Sequence, residues 1–127
     1  MTPEAERRPK GSHVGAPATF ALELALRQVC EAFNVSACYI VGSALERADW
    51  RDVDVRLILG DAEFAVLFPD AGQHWEFDPR WLLLTVCISE RLSKITGLPV
   101  DFQFQPQTHA NEKHPGRRSA VGMRIRN

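Results

Sequence analysis

Three aspartates have the types and spacing to do chemistry. Asp52 and Asp54 stand two apart in the stretch Asp52-Val53-Asp54-Val55-Arg56-Leu57-Ile58-Leu59, and Asp101 lies in Val100-Asp101-Phe102-Gln103-Phe104-Gln105. Both stretches alternate with period two, which predicts half-buried strands over 52–59 and 100–105. Val53, Val55, Leu57 and Leu59 take one face of the first strand; Asp52, Asp54, Arg56 and Ile58 take the other. The two carboxylates then project from one face, roughly 6.6 Å apart along the backbone. Aspartate is depleted in strands, so stability does not ask for this pair. If the strand of Asp101 lies beside that of Asp54, three anions converge and repel unless a cation neutralises them. Oxygen donors at this density suit Mg²⁺ or Mn²⁺. Two such ions could clamp an in-line phosphoryl displacement. Arg56 shares the aspartate face, where it could touch a phosphate or pair with an aspartate.

The elements that must position these residues can be read in outline. Leu22, Leu26, Val29 and Phe33 recur at helical spacing, so a helix is expected over 20–33 with Thr19 as its N-cap and Asn34 as its stop. Residues 37–41 form a short apolar run that reads as a buried strand and ends at Gly42-Ser43. Ala44 to Ala48 could add a turn of helix capped by Ser43. Gly42 would let the backbone approach a phosphate, and amides after Ser43 would bind its oxygens. Asp61 can cap a helix over 62–68 ended by Pro69, and 69–77 reads as a loop. Asp78-Pro79 is a strong helix start, and Gly97 a suitable C′ residue for a helix ending near Thr96. Its apolar face is Trp81, Leu84, Ile88, Leu92 and Ile95, widened by Leu83 and Cys87. Helix, strand, short helix, strand, helix, strand predicts a small mixed β-sheet backed by helices, α/β or α+β in class.

Outside this span the chain changes character. Residues 1–18 hold three Pro and almost no large apolar group, so they read as a flexible N-terminal arm. Residues 106–127 read as a C-terminal tail rich in turn formers. There Lys113, Arg117, Arg118, Arg124 and Arg126 outnumber Glu112, so the tail is basic and a candidate for contacting nucleic acid. The net charge of −1 gives the whole molecule no basic field. Cys30, Cys38 and Cys87 are odd in number, sit in apolar runs and form no C-x-x-C pair, which reads as reduced core thiols. His74, His109 and His114 lack metal-ligand spacing and read as solvated loop residues; Trp75 and Trp81 read as core or lid packing. No apolar run approaches the roughly 18 residues of a membrane span, and no signal-peptide pattern opens the chain, so a cytoplasmic protein is expected.

With these residues placed, the chain resembles the nucleotidyltransferase superfamily, whose fold is that of the DNA polymerase beta palm. The resemblance rests on Val41-Gly42-Ser43, an eight-residue gap, Asp52-Val53-Asp54, the helix from Asp78 to Thr96, and Val100-Asp101-Phe102, and it spans residues 19–105. The order matches the family, and the gap from Ser43 to Asp52 is on the short side. The loop after Ser43 departs from the minimal members: it reads Ala44-Leu45-Glu46-Arg47, acidic within and without a later Gly. The resemblance implies that Gly42 and Ser43 hold a triphosphate. Asp52, Asp54 and Asp101 would ligate two metal ions, and Asp101 would help deprotonate the attacking hydroxyl. It implies transfer of a nucleoside monophosphate from an NTP to a hydroxyl, on RNA, a homodimer mate, a toxin-like partner protein or a small acceptor. Two other readings compete. One is an inactive, antitoxin-like binding module in which Arg56 quenches the site. The other is a small nucleic-acid-associated protein acting through the basic tail.

Overall fold

The computed structural model describes residues 12–124. It is a mixed sheet backed by helices, as the order of elements predicts. Four strands run β1 (Cys38–Val41), β2 (Val53–Leu59), β3 (Val100–Pro106) and β4 (Ser119–Val121), in spatial order β3-β2-β1-β4. β1 is antiparallel to β2 and to β4, whereas β2 and β3 are parallel. The helices are α1 (Ala18–Ala32), α2 (Ser43–Glu46), α3 (Asp61–Leu67), α4 (Pro79–Thr96) and α5 (Gln107–Lys113).

The apolar face of the sheet follows the alternation. Val53, Val55, Leu57, Phe102 and Phe104 have no exposed surface, and they meet Leu22 and Leu26 of α1 and Leu92 of α4 in one core. Burial of each such aliphatic or aromatic side chain contributes about 1.5–3 kcal/mol before ordering costs. Trp75 and Trp81 stack edge to face in this core, 5.2 Å apart. Trp75 lies in a 3₁₀ segment, Gly72–Phe77, where the sequence predicts only a loop.

β3 is an edge strand, and α4 covers its outer rim. Ser89 Oγ accepts from the amide of Phe102 (3.0 Å) and donates to its carbonyl (3.2 Å). Ser93 does the same for Val100, and the Trp81 indole donates to the Phe104 carbonyl at 2.9 Å. These bonds satisfy backbone groups that an open edge would leave to another chain. They also hold Asp101 in register. α4 itself starts as predicted, with Asp78 Oδ2 accepting from the Trp81 amide at 3.0 Å, and ends at Gly97 with φ +73.

Several expectations change. Residues 106–124 are not a tail. α5 lies over the sheet, and β4 pairs with the outer edge of β1, Ile40 opposite Ser119 and Cys38 opposite Val121. A three-residue strand has too little periodicity to see in sequence, and it forms because β1 offers an unpaired edge. The N-terminal arm is likewise ordered where described. Val14 is buried, and the His13 amide donates to the Ala44 carbonyl at 2.6 Å; residues 1–11 lie outside the described residues, as does Arg126. Thr19 is not the cap of α1. The helix starts at Ala18, and the Thr19 hydroxyl donates to the Val14 carbonyl at 2.6 Å. Asp61 is the first residue of α3 instead of its cap, and its carboxylate bonds Thr108 of α5. Cys87, Leu83 and Ile95 are exposed on α4, so its buried stripe is narrower than predicted. Cys30 and Cys38 are buried together, Sγ to Sγ 3.6 Å.

Candidate functional site

The predicted convergence of Asp54 and Asp101 is built into the sheet. They are register partners across the parallel pair β2–β3, and Val41, at the end of β1, is opposite Asp54. The chain leaves β1 at Gly42 with φ +77 and ψ −149, a conformation essentially confined to glycine. A Cβ there would sit 2.7 Å from Asp54 Oδ2. The turn therefore rests directly on the carboxylate, and glycine is required twice over, for conformation and for space. Gly42, not Ser43, is the N-cap of α2; Ser43 is its first residue and makes no capping bond. α2 has four residues, too few for a helix dipole to hold an anion by itself.

Asp52 lies outside the β2–β3 ladder that pairs the other two. It precedes β2 and is exposed, whereas Asp54 and Asp101 are half-buried. Among the described residues, no group of three or more His, Cys, Asp or Glu side chains is gathered to hold one metal ion. Arg56 lies between the two paired carboxylates. Its Nη2 is 3.4 Å from Asp101 Oδ2 and 3.9 Å from Asp54 Oδ1. Its Nη1 donates to the carbonyls of Asp101 (2.8 Å) and Val55 (3.0 Å). With 7% of its surface exposed, Arg56 is spent on the aspartate pair instead of pointing to a phosphate.

Burial raises the Asp54 carboxyl from its ordinary value; Arg56 opposes the rise, and Asp101 and Asp52 add to it. The donors are hard oxygens in half-solvated positions that already attract a cation. This donor set fits a divalent ion bound by a few carboxylates and water.

A cavity of about 390 Å³ opens beside the glycine turn. Gly42 and Ser43 form one side of it; Lys113, His114 and Arg117 come from the C-terminal segment, and Arg47 from the loop after α2. Sequence reasoning missed these residues as site residues, because a chain read as a tail has no fixed place. The signal was the excess of cations after Glu112. Arg117 also donates to the Leu45 carbonyl at 3.2 Å, tying the segment to α2. His114 is half-buried, and burial, followed by the positive charges of Arg56 and Arg118, lowers its pKa. It is not a solvated loop residue, and neither is His109, whose ring lies edge-on to Trp75 at 5.0 Å.

No protein-family model, no curated protein and no solved structure matches this chain. The class it defines on its own is a four-stranded mixed α+β domain with paired strand carboxylates beneath a glycine turn. No helix among the described residues is long and apolar enough to cross a membrane.

Proposed function

We propose that this protein is a metal-dependent nucleotidyltransferase of the polymerase beta-like superfamily, moving a nucleoside monophosphate from an NTP to a hydroxyl acceptor. The observation that carries the proposal is the stacking of Gly42 on Asp54, with Asp101 in register beside it. It puts a turn open to phosphate oxygens next to paired carboxylates. Asp54 and Asp101 would hold Mg²⁺ or Mn²⁺, without the exposed Asp52. The ion would supply positive charge for the reacting phosphate and lower the pKa of the attacking hydroxyl. Gly42 and Ser43 would seat the triphosphate, and Lys113, Arg117 and Arg47 would face it with positive charge. The acceptor oxygen bonds the α-phosphorus, the bond to the bridging α–β oxygen breaks, and pyrophosphate leaves. Asp101 would take the hydroxyl proton.

The test is incubation with labelled NTPs, Mg²⁺ or Mn²⁺, and cell extract, comparing the wild type with Asp54→Ala. Label should pass to a protein or RNA acceptor only with the wild type. No transfer, together with no metal-dependent NTP binding, would sink the proposal.

One observation favours a second reading. Arg56 already occupies the space between the carboxylates, which suits a non-catalytic, antitoxin-like module that binds a nucleotide without turnover. That reading expects NTP binding without transfer. The cations of the former tail face the cavity of the glycine turn, which argues for a nucleotide there before a nucleic-acid strand.

A further inference from the structure

Arg56 violates the pattern that placed it. It occupies the polar face of β2, yet it is as buried as a core residue. A guanidinium leaves water only where charge and hydrogen bonds receive it. Here the receivers are two backbone carbonyls and the carboxylates of Asp101 and Asp54, and Nε has no hydrogen-bond partner among the described residues. The carbonyls anchor the head of the side chain, and the carboxylates balance its charge.

We infer that Arg56 is the resident counter-cation of the Asp54–Asp101 pair: it keeps the two carboxylates assembled without metal and competes with a divalent ion for them. This inference rests on the reading of the pair as a metal site. Two cations cannot both draw fully on the same oxygens. An ion arriving at Asp101 must weaken the Arg56 contact at 3.4 Å or bind beside a fixed like charge. Either way the free energy of the Arg56 pairing is subtracted from metal affinity, a coupling that acts equally in both directions. The anchor at Nη1 means that Arg56 need not swing out. It sets the affinity of the site from a fixed position, so that metal loads tightly only when a polyphosphate brings further negative charge.

The experiment is a Mn²⁺ titration of chelator-stripped protein, read by the spin resonance of free Mn²⁺, on the wild type, Arg56→Met and Arg56→Lys. Arg56→Met should bind Mn²⁺ about tenfold tighter than the wild type. In chelator it should also unfold at a lower temperature, and the loss should shrink in an Asp101→Asn background. Equal or weaker Mn²⁺ binding by folded Arg56→Met overturns the inference. If Arg56→Met does not fold, Arg56→Lys decides. Lysine keeps the charge and lacks the fork, so it should bind Mn²⁺ more tightly than the wild type by a smaller factor, and unchanged affinity overturns the inference. Mn²⁺ binding that ignores Arg56 removes the inference and leaves the metal site standing. No Mn²⁺ binding by any of the three proteins, with or without an NTP, removes both.

Discussion

Gly42 and Asp54 are packed so closely that a single added carbon at position 42 would meet the Asp54 carboxylate at 2.7 Å. This contact joins the two halves of the site, the turn after β1 and the acidic face of β2, and it makes glycine at 42 a requirement of the site as well as of the backbone.

Gly42→Ala should therefore cost more than an ordinary glycine replacement. The strained backbone and the displaced carboxylate together should lower stability by about 2–3 kcal/mol. Gly97→Ala is the control. Its φ is +73, but none of the described residues lies within 4 Å of the new carbon, so the loss should be about 1 kcal/mol. Urea unfolding in chelator measures both, and equal losses would contradict the contact.

Asp54 makes metal-free stability depend on pH. Burial raises its carboxyl, so the folded protein holds that proton more tightly than the unfolded chain does. The stabilisation is fully present below the unfolded pKa of about 3.9 and is lost as pH rises through the folded value. At pH 7 in chelator, Asp54→Asn should melt above the wild type, with the gap closing as the pH approaches 4. A wild type more stable than the variant at pH 7 would mean that Arg56 outweighs burial.

Gly122 holds β4 against α1. With φ +71, a Cβ there would meet Leu26 Cβ at 2.6 Å and the Arg27 amide at 2.9 Å, and helix backbone cannot step aside. Gly122→Val should cost about 3 kcal/mol and loosen the segment that carries Lys113 and Arg117. Unfolding and NTP binding should fall together. Intact NTP affinity in a destabilised variant would show that the segment is not part of the site.

Lys113→Ala and Arg117→Ala should each weaken NTP binding about tenfold, the loss of one charge-assisted contact. Calorimetry at two salt concentrations should show a shallower salt dependence in each variant. His114 adds a pH term. Burial and Arg56 hold its pKa below 6.5, so binding should strengthen only as pH falls below that value, and His114→Ala should abolish the change.

The chain alone discloses a good part of this. Alternation separates Val53, Val55 and Leu57 from Asp52 and Asp54, because a strand turns every second side chain to the same face. The cap at Asp78 and the stop at Gly97 are equally legible, since both are local to a few residues. So are the apolar strands and the turn at Gly42. All of these follow from backbone geometry within one element.

What only the tertiary structure decides is which elements meet. The parallel pairing of β2 with β3 brings Asp54 level with Asp101 and leaves Asp52 outside. The same pairing carries Arg56 between the carboxylates; its pairing with an aspartate is one of the two roles the shared strand face allows, and its burial is what the sheet adds. The C-terminal residues look like a tail because α5 and β4 are short and weakly patterned. Their order comes from the open edge of β1 and from Asp61 binding Thr108, partners 47 residues apart in the chain. Long-range contacts of this kind leave no periodic trace in sequence, since neither partner has to be recognisable before the other is in place. The aspartates at 52, 54 and 101 are therefore legible as a motif. The closed half of the site, with its resident arginine and its C-terminal cations, exists only once the sheet has formed.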